Sequence, residues 1–205
     1  MKDHVTRIGI LGGAFDPITT GHMQIANAAL NAVRKKDWDP LISEVWFMPC
    51  SGHAFGKKML PAEIRMEMIR KVIHDAGSYK ICEYEVNNKS NGIAYETLSE
   101  FKNRFRDLPL EFYYIIGADN TQSIEKWVNW ENLIKEFKFM IVPRKGYEIA
   151  DWAKEEPHVS IEVQGSSDIS STKVREAIAK GDYKKARRIV YPSVADYIEE
   201  HKLYR

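Results

Sequence analysis

The chain has 205 residues, long enough to bury a substantial core in one domain with a small appendage. Lysine and arginine number 30 against 29 aspartates and glutamates, a formal net charge of +1. Bulk charge therefore gives no case for nucleic acid or a membrane surface, and any anion site must come from local placement.

Cys50 and Cys82 are the two cysteines of the chain and lack the close spacing of a metal site; so few argue against a disulfide framework and for a reducing compartment. There is no signal-peptide core and no apolar run of about 18 residues, so the expected location is cytoplasmic.

In chain order, RIGILGG (7–13) predicts a buried strand ending in glycines. MQIANAALNAVRKK (23–36) carries Ile25, Ala28, Ala29 and Ala32 at helical spacing and a basic end suited to a helix C-terminus. SEVWFMP (43–49) is a second strand, SGHAFGKKML (51–60) a loop, and PAEIRMEMIRKVIHDAG (61–77) a helix with proline near its start and glycine near its end. KICEYEV (80–86) reads as a strand, NNKSNG (87–92) as a polar loop and IAYETLSEFKNRF (93–105) as a helix.

EFYYIIGAD (111–119) predicts a central strand, and TQSIEKWVNWENLIKEF (121–137) a helix with a break near Val128-Asn129. KFMIVPR (138–144) and HVSIEV (158–163) are the last two strands. SSTKVREAIAKGD (170–182) is a helix with serines at its start, and two short helices divided at Pro192 follow. Strand and helix alternate, which predicts an α/β, doubly wound parallel sheet with helices on both faces and a small helical part over about 171–205. Ligands of such sheets sit beyond the carboxyl ends of the strands.

After the first strand come Gly12, Gly13, Ala14 and Phe15, then Asp16-Pro17, then Thr19, Gly21 and His22. Glycines admit a phosphate close to the backbone, and a helix start offers unpaired N–H groups. The spacing fits neither a Walker A loop nor the dinucleotide fingerprint. A plain turn with a capping threonine would account for the same residues. Near the far end, Ser170, Ser171 and Thr172 open a helix with Lys173 and Arg175 close behind. Basic residues there oppose the helix dipole, a cost that a bound phosphate would offset; an ordinary serine or threonine cap is the alternative.

Together these segments resemble the nucleotidyltransferase superfamily. GGAFDPITTGH resembles its (His/Thr)-x-Gly-His signature, and ISSTKVR its Ile-Ser-Ser-Thr-x-x-Arg signature. IIGADNTQSIEKWVNWENL resembles the Gly-x-Asp…Trp segment of nicotinate- and nicotinamide-mononucleotide adenylyltransferases. The resemblance implies a Rossmann-like fold. It also implies transfer of AMP from ATP to the 5′-phosphate of a pyridine mononucleotide, with pyrophosphate released and Mg2+ bound with ATP.

By the same resemblance His22 and Thr19 hold ATP phosphates, with the backbone of Gly12, Gly13, Ala14, Phe15 and Gly21 beside them. Ser170, Ser171, Thr172 and Arg175 hold the triphosphate from the other side, and Gly117 and Asp119 lie at the ribose and base. Trp127 stacks on the pyridine, Phe55 lines its pocket, and Lys57, with Lys58 as the alternative, contacts the mononucleotide phosphate. No metal ligand comes from protein side chains, and partners are small molecules, with homo-oligomers common in the family.

Thr19 stands where the commoner signature has histidine. That form is typical of pantetheine-phosphate adenylyltransferases, which supply the second reading; a nucleotide-binding regulatory module without turnover is the third. Trp130 is expected in the core, and neither cysteine as a nucleophile. Ala94, two residues before Glu96-Thr97-Leu98, replaces a threonine of many acid-preferring bacterial enzymes. This leans toward activity on both nicotinate and nicotinamide mononucleotides.

Overall fold

The computed structural model describes residues 5–34, 38–52, 59–73, 77–90, 92–163 and 169–205. Strand β1 (Thr6–Gly13) leads through α1 (Thr20–Asn31) to β2 (Glu44–Pro49), and α2 (Ala62–Ile73) leads to β3 (Tyr79–Ile81). Helices α3 (Tyr84–Asn87) and α4 (Ala94–Arg104) precede β4 (Leu110–Gly117), and α5 (Ala118–Thr121) and α6 (Trp130–Glu136) precede β5 (Lys138–Val142). After β6 (Val159–Ser160) come α7 (Ser171–Ala179), α8 (Tyr183–Arg187) and α9 (Pro192–Glu200).

The six strands pair in parallel in the order β3-β2-β1-β4-β5-β6. Alternation of side chains along each strand gives the sheet two buried faces. Leu11, Phe47, Ile115 and Met140 pack under α1, α2 and α7–α9. Ile10, Met48, Ile116 and Phe139 pack under α4–α6. The winding reverses between β1 and β4, which opens a crevice beyond their carboxyl ends. The predicted doubly wound α/β sheet is the observed one.

Three local expectations are corrected. The 80–86 segment is a strand only to Ile81. The Cys82 N–H makes a rung to the Phe47 carbonyl at 2.8 Å, and the chain then turns into α3, where the Tyr84 ring meets Phe101 edge-on at 5.0 Å. That aromatic contact overrides the alternating pattern. Helix α1 starts at Thr20 and stops at Asn31, so the basic residues lie outside it; Val33 instead bridges to Pro40. Its fully buried face is Met23, Ala26 and Ala29, with Ile25 and Ala28 only partly buried.

The 121–137 segment is not one broken helix. It divides into the end of α5, a 3-10 turn at Ile124–Lys126, and α6, which begins at Trp130 after Asn129 takes a left-handed φ of 56°. The break falls at the expected place. Trp127 consequently sits in the connection, and Trp130 opens the helix.

Candidate active site

The turn joining β1 to α1 is shaped by close approach. A Cβ on Gly12 would lie 2.6 Å from the Tyr114 hydroxyl, and one on Gly13 would lie 3.3 Å from the Phe15 ring. Phe15 itself has φ of 48° and is 1% exposed, its ring edge-on to His22 at 5.0 Å and to Phe47 at 5.7 Å. Its side chain belongs to the core, so it offers the site only backbone.

Thr19 is the N-cap of α1 and buried. Its backbone N–H donates to His22 Nδ1 at 3.0 Å, and its hydroxyl lies 2.9 Å from the same nitrogen. His22 thus takes the place of glutamate in a capping box. With Nδ1 accepting, a neutral imidazole carries its proton on Nε2. Burial, and then the Arg144 charge, push the His22 pKa down to about 4. At neutral pH the ring is therefore an uncharged Nε2–H donor with a fixed tautomer.

The two signatures interlock. Ser170 caps α7, its hydroxyl accepting from the Lys173 N–H at 3.3 Å. Ser171 Oγ donates to the Pro17 carbonyl at 2.8 Å. Arg175 Nη1 donates to the Asp16 carbonyl at 2.6 Å, and Nη2 to Thr172 Oγ1 at 3.2 Å. The capping reading thus holds for Ser170. Ser171 and Arg175 do what no cap does: they fasten the far end of the chain onto the first turn.

Gly117 ends β4. A Cβ there would lie 2.8 Å from Arg144 Nε and would also collide with the Asp119 carboxylate. Asp119 Oδ1 is 3.3 Å from Arg144 Nε, in an ion pair at the edge of the site. A cleft of about 190 Å³ runs between the start of α1, the end of β5 and the segment before α7. Thr19, Gly21, His22, Arg144, Ile169 and Ser170 line it, with Val142, Pro143 and Val163 as apolar wall. A Cβ on Gly21 would press on Ile169 at 3.2 Å, so the glycine keeps the two segments together.

Trp127 stands apart from the cleft, half-buried and edge-on to Tyr114 at 6.4 Å. Tyr114 in turn abuts Gly12, so the tyrosine ring lies between Trp127 and the turn. Phe55, Lys57, Lys58 and His53 lie outside the described residues.

Sequence reasoning missed Arg65, Arg144 and Tyr204. Arg65 is 1% exposed and donates to the carbonyls of Ala14 at 2.6 Å, Cys50 at 2.7 Å and Leu60 at 2.9 Å. Its signal was present: an arginine occupying the i position of an apolar stripe completed by Met68, Ile69 and Ile73. Arg144 gave none, being one more basic residue after a strand.

Residues 10–177 match the cytidylyltransferase-like family model. A Clostridium botulinum protein named probable nicotinate-nucleotide adenylyltransferase is 33% identical, covering 97% of this chain and 98% of its own. One of the same name from Shouchella clausii is 32% identical over 97% and 96%. In fold, the chain resembles the Plasmodium falciparum nicotinic acid mononucleotide adenylyltransferase complexed with NaAD. The TM-score is 0.79 at 24% identity, with 97% of each chain covered. With its two interlocked signatures, its switch-point cleft and relatives matching from end to end, this chain belongs to the nicotinate-nucleotide adenylyltransferase family of cytidylyltransferase-like nucleotidyltransferases.

Proposed function

We propose that the chain transfers AMP from ATP to the 5′-phosphate of nicotinate mononucleotide, and also of nicotinamide mononucleotide, a step of NAD biosynthesis. The observation that carries the reading is the fixed Nε2–H of His22 at a turn where α1 and α7 start side by side. Two helix starts and a neutral donor suit a polyanion. The acceptor comes from the names of the relatives.

The nucleophile is a phosphate oxygen whose second pKa lies near 6, so no general base is needed. What remains is to bring two polyanions in line and stabilise charge on the α-phosphate and the leaving pyrophosphate. The backbone of Gly12 to Phe15 and of Gly21 lets phosphates approach. His22 donates through Nε2 while Thr19 fixes the ring. Ser170, Ser171 and Thr172 open α7 toward the same space, and Arg175 supplies charge there. Gly117 and Asp119 lie at the nucleoside, and Trp127, Phe55 and Lys57 serve the pyridine nucleotide, as the resemblance implies.

ATP would enter as its magnesium complex, the metal supplying neutralisation of phosphate charge. Among the described residues no three His, Cys, Asp or Glu side chains group to hold a metal. The donor set of phosphate oxygens and water suits magnesium, which retains waters.

The chain would act as one catalytic domain in the cytoplasm on small molecules, without nucleic acid or membrane. No helix among the described residues is long and apolar enough to cross a membrane.

The test is pyrophosphate release from ATP with nicotinate mononucleotide, nicotinamide mononucleotide, phosphopantetheine or no acceptor. Release with the pyridine mononucleotides is expected. Release with phosphopantetheine alone would move the chain to the pantetheine reading, and none at all would make it a binding module.

A further inference from the structure

The last residues of the chain reach the turn between β1 and α1. Helix α9 ends at Glu200 with His201 as its C-cap, and Lys202, with φ of 52°, terminates it in a Schellman arrangement. The Lys202 N–H donates to the Glu199 carbonyl at 3.3 Å and the Leu203 N–H to the Ile198 carbonyl at 3.0 Å. Leu203 packs against the core. Helix termination accounts for Lys202 but not for Tyr204, which has a second left-handed φ of 64°.

A tyrosine in that region is strained and persists only where its surroundings hold it. Here the Tyr204 hydroxyl donates to Asp16 Oδ1 at 2.7 Å. Asp16 is 3% exposed, and its own carbonyl accepts from Arg175 at 2.6 Å. Burial and the Asp16 carboxylate raise the Tyr204 pKa, so the phenol stays a proton donor. Three positions of chain, Tyr204, Arg175 and Ser171, thereby close on the dipeptide Asp16-Pro17, which lies two residues before the N-cap that orients His22.

We propose that Tyr204 is a positioning residue for adenylyl transfer: by holding the Asp16 carboxylate it sets the Asp16 carbonyl for Arg175 and fixes the turn that carries Thr19 and His22. The inference rests on the adenylyltransferase reading of this site. It gives the C-terminal segment a part in the active site that neither signature motif contains.

The test is Tyr204→Phe, which keeps the packed ring and removes one hydroxyl. Wild-type turnover with ATP and nicotinate mononucleotide is measured first. Its absence would overturn the functional reading and this inference with it.

Given wild-type turnover, Tyr204→Phe is expected to lower kcat about tenfold, the loss of one hydrogen bond to a charged group. The KM for the mononucleotide should stay constant. Asp16→Asn should lower kcat similarly, and the double variant should be no slower than the worse single one, because both break the same link. Wild-type kcat in Tyr204→Phe, with or without a lower Tm, would overturn the inference. So would additive losses in the double variant.

Discussion

At the scale of single residues, His22 has two employments that use different nitrogens. Nδ1 serves the fold as the capping partner of Thr19, and Nε2 is the nitrogen assigned to phosphate in the proposed reaction. The signature was legible in the sequence; the division of labour was not, since it depends on which N–H the ring meets. Losing one charge-stabilising donor costs about a hundredfold or more in rate, and losing a capping contact about 1 kcal/mol. His22→Ala should therefore lose kcat by about two orders of magnitude with a modest drop in Tm. Near-normal turnover at saturating ATP would refute the assignment.

The same histidine carries a pH signature. Its folded pKa, about 4, lies below the ordinary value of 6.5, so between those values the unfolded chain binds more protons. Its contribution to stability is therefore lost as pH falls from about 6.5 toward 4 and is constant below that. By pH 5 this amounts to up to about 2 kcal/mol. Urea titrations at pH 7 and pH 5 should show His22→Gln losing less stability than wild type on acidification. Equal losses would mean that the ring is not held neutral by its surroundings.

At the scale of elements, the alternation of strands and helices could be read from periodicity and glycine placement, and the two ends of the site from the resemblance of their motifs to a known family. Elements of only about one helical turn could not, because α3, α5 and the 3-10 turn at Ile124–Lys126 are set by tertiary contacts. Helix α7 shows how structure alters an expectation. If Arg175 only opposed the helix dipole, its removal would be stabilising. Its bond to the Asp16 carbonyl reverses the sign.

Arg175→Ala should lower stability by about 1–3 kcal/mol and weaken ATP, with the difference in ATP affinity shrinking as salt rises. Unchanged ATP affinity at low and high salt would leave Arg175 a purely structural tie. The connection after β4 offers the complementary test. Trp127 is half-buried against Tyr114, so Trp127→Ala should cost some Tm in either case. Only a stacking role raises the mononucleotide KM alone, by about fivefold at the low end of aromatic stacking energies. Equal effects on both substrates would assign Trp127 to packing.

At the scale of the whole molecule, the sheet order puts the ends of β1 and β2 side by side, and one buried guanidinium ties them together. Arg65 binds Ala14 after β1, Cys50 after β2, and Leu60 just before α2. Ala14 lies in the turn after β1, assigned to phosphate in the proposed reaction. Cys50 and Leu60 bracket the segment 51–59, where the family resemblance puts Phe55 and Lys57. In that reaction Arg65 would couple the ATP side of the site to the acceptor side.

Arginine is suited to this because its planar fork reaches several carbonyls at once, whereas lysine is a point charge. Arg65→Met would leave without their donor the three carbonyls that the buried guanidinium holds and should cost roughly 2–4 kcal/mol or more. Arg65→Lys keeps the charge and is the informative variant. It should fold with a lowered Tm and lose kcat/KM for ATP and for the mononucleotide together. That double loss would separate it from His22→Ala, expected to act on kcat, and from Trp127→Ala, expected to act on one KM. A folded Arg65→Lys enzyme with wild-type constants for both substrates would show that the two sides are assembled without the clamp.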